Sequence, residues 1–219
     1  MMRNKTFITA ILLLLLACAY PFNSEAKKNN TKPEEVDIFE LSIDENIAIP
    51  KLGKYSIKIT EFQASQLEEL NKLKQKGYPY ELQTIRNGEV IMITIPMQAL
   101  FSSNSIELSD AGKDALKPLL KYCNKSQLYK TVLVAHADNT GNDIYATNIT
   151  TKRVDAVVAW VESENKGSAD LVVPYALGNS DPIVDNNSVT NRAKNRRLVV
   201  YLIPENAMIN QAKRNKIAL

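Results

Sequence analysis

The sequence has one histidine and two cysteines in 219 residues. A lone His136 has no second imidazole with which to share a metal, and no paired-histidine or nucleophile-elbow motif of a hydrolase is present. No enzymatic activity, metal or cofactor is therefore expected. A disulfide is not expected either, because Cys18 lies in an apolar N-terminal run that processing would remove or modify. Cys123 follows Leu116, Leu119 and Leu120 at helical spacing and reads as a small buried hydrophobe. Excess charge of one sign is also missing. A formal charge of +3 is too small for a general nucleic-acid binder.

What is present, 45% hydrophobic and 23% charged residues, suits one globular domain of ordinary size with attachments. Arg3 and Lys5 precede a nearly unbroken apolar run from Phe7 to Tyr20, and a polar stretch follows. Residues 1–26 thus have the layout of a secretory signal peptide, with a core short for a bilayer span. Two processing routes fit. Small residues at Ser24 and Ala26 allow cleavage after Ala26, which leaves a soluble chain; alternatively, Leu15-Leu16-Ala17-Cys18 resembles a bacterial lipoprotein box, which ends in lipidation of Cys18.

Residues 27–55 are expected to form a flexible arm, since they are rich in Lys, Asn, Glu and Asp with scattered apolar positions. Ile57, Ile59, Phe62, Leu67, Leu70 and Leu73 predict a helix over 56–76, with Gly77 as its stop. Two strand-like runs flank Asn87-Gly88, a strong hairpin signal, and Pro96 closes the second. A helix capped by Ser109 or Asp110 should run to about Tyr122, followed by a buried strand at 131–137. Val154, Val157, Val158 and Val161 form the core stripe of a long helix from Asp143 to about Ser163. A strand over 171–177, a turn-rich loop and a last strand over 197–202 complete the pattern, with a short basic helix expected after Pro204. The fold class is α+β, a two-layer α/β sandwich with β-α-β-α-β-β order, a mixed sheet covered on one face, and an added N-terminal helix and hairpin strand.

Within this order, residues from about Val90 to Tyr201 resemble the OmpA-like peptidoglycan-binding domain. Leu100, Phe101 and Ser105 match its opening, and Leu108, Gly112 and Leu116 keep the next helix in register. Its signature segment is matched by Ala135-His136-Ala137-Asp138, Gly141, Tyr145-Ala146, Ile149-Thr150 and Arg153. The C-terminal run GNSDPIVDNNSVTNRAKNRR aligns without a gap. The resemblance divides the chain into 1–26 signal peptide, 27–55 arm, 56–89 added helix and strand, 90–203 domain and 204–219 tail. The residues before the domain are not expected to form an eight-stranded barrel.

The resemblance implies a bacterial protein of the periplasm, or of the periplasmic face of the outer membrane if Cys18 is lipidated. Its ligand would be peptidoglycan, held by the diaminopimelate of the stem peptide. Asp138 would meet the ligand ammonium and Arg153 its carboxylate, a zwitterion read by two opposed charges. Asn139, Thr140 and Gly141 would form the turn between them, and Arg196 would line the site. From the residues alone, Asp138 also reads as a helix cap and Arg153 as a surface cation. His136 is expected to be a hydrogen-bonded part of the fold, and Arg192 and Lys194 to add to a basic patch. Two positions depart from the family. Ala146 replaces an asparagine that helps hold the ligand, at a cost of about 1–3 kcal/mol, and Ala137 replaces a threonine. These departures leave an alternative open, an envelope interaction or structural module with a protein partner that keeps the fold without binding the wall.

Overall fold

The computed structural model describes residues 50–124 and 128–217. The expected signal peptide, Cys18 and the arm as far as Ile49 lie outside the described residues. Leu52 is buried and a single 3-10 turn at Gly53–Tyr55 leads into helix α1 (Ser56–Gln75). Residues 50–55, assigned to the arm by composition, therefore sit on folded structure. Gly77 ends α1 with a left-handed φ of +95°, a conformation that a residue without Cβ adopts freely.

Strands β1 (Glu81–Ile85) and β2 (Val90–Pro96) pair antiparallel across the turn containing Asn87-Gly88. Helix α2 (Met97–Leu100) follows β2 directly and has no counterpart in the sequence expectation. Helix α3 (Asp110–Leu116) starts as expected, with Ser109 Oγ accepting from Gly112 N at 3.0 Å. It stops earlier than expected. Pro118 has no N–H to continue the ladder, and Lys117–Tyr122 tightens to 3-10 geometry.

Strand β3 (Tyr129–His136) crosses through helix α4 (Asp143–Glu164) to strand β4 (Val172–Gly178), to which it pairs in parallel. The loop read as irregular contains helix α5 (Val189–Asn195), whose first turn is capped by Ser188 Oγ accepting from Asn191 N at 3.1 Å. Strand β5 (Arg197–Pro204) then runs antiparallel between β2 and β3, and helix α6 (Asn206–Lys213) forms the expected tail helix. The sheet order is β1-β2-β5-β3-β4, a mixed sheet of the α+β class.

Alternation along the strands sorts their side chains onto two faces. Ile91, Ile93 and Ile95 of β2 join Leu198, Val200 and Leu202 of β5 in one cluster, to which α1, α2, α3, α4 and α6 add buried apolar residues and α5 adds none. Val154, Val157 and Val161 supply the α4 stripe as predicted, each contributing about 1.5–3 kcal/mol by burial. The opposite face carries Val132, Val134, Val199, Tyr201 and Ile203.

The segment before β2 shares the main core. Ile59 and Leu70 of α1 are fully buried in it. Gln63, also fully buried, donates to Glu89 O at 2.7 Å and accepts from Tyr129 Oη at 2.7 Å, which satisfies a polar group that would otherwise be costly inside. The Tyr80 hydroxyl is bonded to Ala115 O. The arrangement leaves one end of the sheet, where β3 stops and β5 starts, free to carry polar side chains.

Candidate functional site

Strand β3 ends at His136 beside a register shift in its pairing with β4, and the chain turns at Ala137, whose N–H is held by Gly178 O at 2.6 Å. Asp138 follows, only 7% exposed. Its Oδ1 accepts from Thr140 N at 2.9 Å, closing a local turn. It is not the helix cap. That role belongs to Asn142, whose Oδ1 accepts from Tyr145 N at 2.8 Å. Burial pushes the Asp138 carboxyl up, but bonding from Thr140 and the charge of Arg196 outweigh it and hold the group below its ordinary value.

Arg153 lies nearly three turns into α4 and is 8% exposed, so it is not the surface cation that spacing alone allows. Its Nε donates to Ser105 O at 2.9 Å, and its guanidinium carbon stands 5.2 Å from the centre of the Phe101 ring. Among the described residues it has no ion-pair partner. Desolvation opposes its charge, yet a guanidinium remains protonated in proteins. A buried cation held by its Nε alone keeps the planar fork of its terminal nitrogens for something else.

Asp138 and Arg153 line one cavity of about 530 Å³. Thr140 and Gly141 form its wall beside Asp138, while Tyr145, Ala146 and Ile149 continue along α4 toward Arg153. Arg196 completes the Asp138 side and is ion-paired with its Oδ2. Four of the five residues expected beside Asp138 are thus brought together with it. Asn139 is the exception: it is exposed and takes no part in the wall.

One further expectation changes, that of a hydrogen-bonded His136. Of the two consecutive arginines, Arg197 turns the other way and donates to Asp181 Oδ2 at 3.2 Å and to Asp181 O at 3.1 Å. His136 is buried beside Arg197, but its Nδ1 has no hydrogen bond among the described residues and lies 3.6 Å from Asp181 Oδ2. Desolvation, reinforced by the Arg197 charge, pushes its pKa down to about 3, so the ring is neutral near pH 7.

Gln98, Ser102, Ser103 and Asn104 form the far wall and were not singled out from the sequence. The one local signal for the last three is the polar run Ser-Ser-Asn-Ser between Phe101 and Leu108, two residues that pair in an isolated bridge and close the loop. Asn104 takes a left-handed φ of 57°, a conformation that asparagine tolerates better than most residues.

A family model described as the OmpA family matches residues 100–196, the segment that contains every charged residue of this cavity. The probable lipoprotein YiaD of Escherichia coli (strain K12) is 24% identical over 133 residues, covering 61% of this chain and 60% of that protein. The chain thus spans less than two thirds of that relative's length. The peptidoglycan-associated lipoprotein of Buchnera aphidicola subsp. Baizongia pistaciae is 24% identical over 200 residues, covering 91% of this chain and 98% of its own. Among solved structures, a putative MotB like protein from Desulfovibrio vulgaris superposes with a TM-score of 0.61 at 18% identity, over 69% of this chain and all of that one. That likeness concerns the fold, and it agrees with the α+β class read from the strand and helix order. Residues 100–196 are thus the part of the chain that is similar to the OmpA family.

Proposed function

We propose that this is a noncatalytic, peptidoglycan-associated protein of the bacterial envelope, on the periplasmic side, and that its cavity binds the diaminopimelate of the stem peptide. The observation that carries the reading is Arg153, a buried guanidinium without a carboxylate partner among the described residues, in the same cavity as the buried carboxylate of Asp138. An unpaired buried charge is costly, so an anionic ligand group at this position recovers interaction energy that the free protein lacks.

Asp138 has capacity left for a cation. A carboxylate offers about four acceptor positions, and Thr140 N and Arg196 occupy one on each oxygen. A ligand ammonium can join Asp138 without first displacing Arg196, while the carboxylate on the same carbon meets the Arg153 fork in bidentate geometry. Matching a zwitterion in this way selects against ligands with only one of the two charges. Ala146 contributes no polar group to the wall, so this grip rests on the charges.

The direct test is sedimentation of the purified protein with isolated sacculi, alongside Asp138→Asn and Arg153→Ala. The parent should be retained and both variants lost from the pellet. Equal retention of all three, or no retention of the parent, refutes the reading.

A further inference from the structure

A second cleft of about 360 Å³ lies beside the first, and Gln98 lines both. It is built from the far face of the sheet. Glu81 and Thr94 stand directly opposite each other on β1 and β2, and Pro96 is opposite Arg197 on β5. Helix α5 supplies Thr190 and Lys194, and the half-exposed Ile183 gives an apolar wall.

The charges of this cleft are unspent in a particular way. Arg197, 4% exposed, is already held by Asp181 and does not need a ligand. Lys194 and Glu81 belong to different elements, are both exposed, and have no partner among the described residues. A neutral sugar leaves these two charges unanswered. A peptide answers the charge of Lys194 with its terminal carboxylate, and it offers backbone amides to Thr94, Thr190 and Gln98 and small apolar side chains to Ile183.

We propose that this second cleft is a subsite for the peptide that extends from the residue held in the first cavity, taking its terminal carboxylate on Lys194. The inference rests on the wall-binding reading above. It adds a dependence on what is attached to diaminopimelate. Gln98, on the wall common to both clefts, is placed to contact the chain where it passes from one to the other.

The test is calorimetric titration of the purified protein with three probes: free diaminopimelate, a tetrapeptide in which one alanine with a free carboxylate follows diaminopimelate, and the same tetrapeptide amidated at that end. The acidic tetrapeptide should bind about tenfold more tightly than the free amino acid. Lys194→Ala should remove roughly threefold or more of that gain, as an exposed ion pair allows, while leaving free diaminopimelate affinity unchanged. Amidation should weaken binding to the parent and make no difference to Lys194→Ala. Thr190→Val provides a second variant, with the same selective loss expected. A tetrapeptide that binds no tighter than the amino acid, or a gain insensitive to both Lys194→Ala and amidation, overturns the subsite alone. Failure of every probe to bind overturns the wall-binding reading and this inference with it.

Discussion

The guanidinium of Arg153 stands over the ring of Phe101, 5.2 Å from its centre, while Ser105 O holds the Nε of the same side chain. The loop from Phe101 to Leu108 is therefore a bracket for the arginine. Phe101→Leu keeps the apolar volume roughly but removes the ring face, and with it a cation–π interaction of about 0.5–2 kcal/mol. Affinity for free diaminopimelate should fall about two- to thirtyfold, measured by calorimetry, with the Asp138→Asn effect still present. An unchanged affinity means that Ser105 O alone fixes the fork.

Ala146 offers the opposite kind of test. It lines the cavity on the same helix as Arg153, seven residues earlier, which places both on one face. Ala146→Asn restores an amide where the family has one. A hydrogen bond to a charged ligand group is worth about 1.5–3 kcal/mol, so binding should tighten at least tenfold if the amide reaches it. Since Ala146 is only 1% exposed, thermal unfolding of the variant should be measured in parallel, to separate a packing cost from a ligand effect.

How far the sequence reveals this arrangement depends on where the determinants lie. The α4 stripe of Val154, Val157 and Val161 is local and periodic, so the helix is legible; the spacing from Asp138 to Arg153 likewise falls within one strand-turn-helix unit. The stop at Pro118 is legible afterwards from its missing N–H, whereas the helical phase of the leucines around it pointed to continuation. The far wall of the cavity could not be read in this way. Gln98 and Asn104 reach the site only because β2 pairs with β5, a contact across about a hundred residues that no short pattern encodes. The roles of Arg196 and Arg197 illustrate the same limit. Adjacent residues at a strand start face opposite sides of the sheet, and the register of β5 decides which of them enters the cavity.

Gly112 couples stability to this bracket. A Cβ at this position would lie 2.4 Å from Leu100 O and 2.8 Å from Leu100 Cα, both backbone atoms. Neither can swing aside as a flexible side chain would. Gly112→Ala should therefore force α3 away from the end of α2 and cost about 1–3 kcal/mol or more, read as a lower urea midpoint. The same displacement pulls on Ser109, whose N–H and hydroxyl both bond Leu100 O, and so on the loop that orients Arg153. A variant with parental stability implies that the two elements do not pack this closely.

His136 predicts a pH dependence that can be assigned without ambiguity among histidines, because the chain has no other. In the folded state its pKa is pushed down to about 3 from an ordinary 6.5. Between those values the unfolded chain binds a proton that the folded chain does not, so unfolding gains from acid. Stability contributed by the neutral ring is complete above about pH 6.5 and falls as pH drops below it, by at most about 1.4 kcal/mol per pH unit. Asp138 has the same sign of dependence but in a lower window, because its depressed carboxyl loses its contribution only as pH falls below the ordinary carboxylate range of about 4. Urea unfolding at pH 7, 6 and 5 thus isolates the histidine. The parent should lose stability across this series, and His136→Gln, even if less stable at pH 7, should lose much less of what it has. Parallel slopes for the two proteins would mean that the imidazole gains a proton in the folded state, with Asp181, 3.6 Å from Nδ1, as the counter-charge.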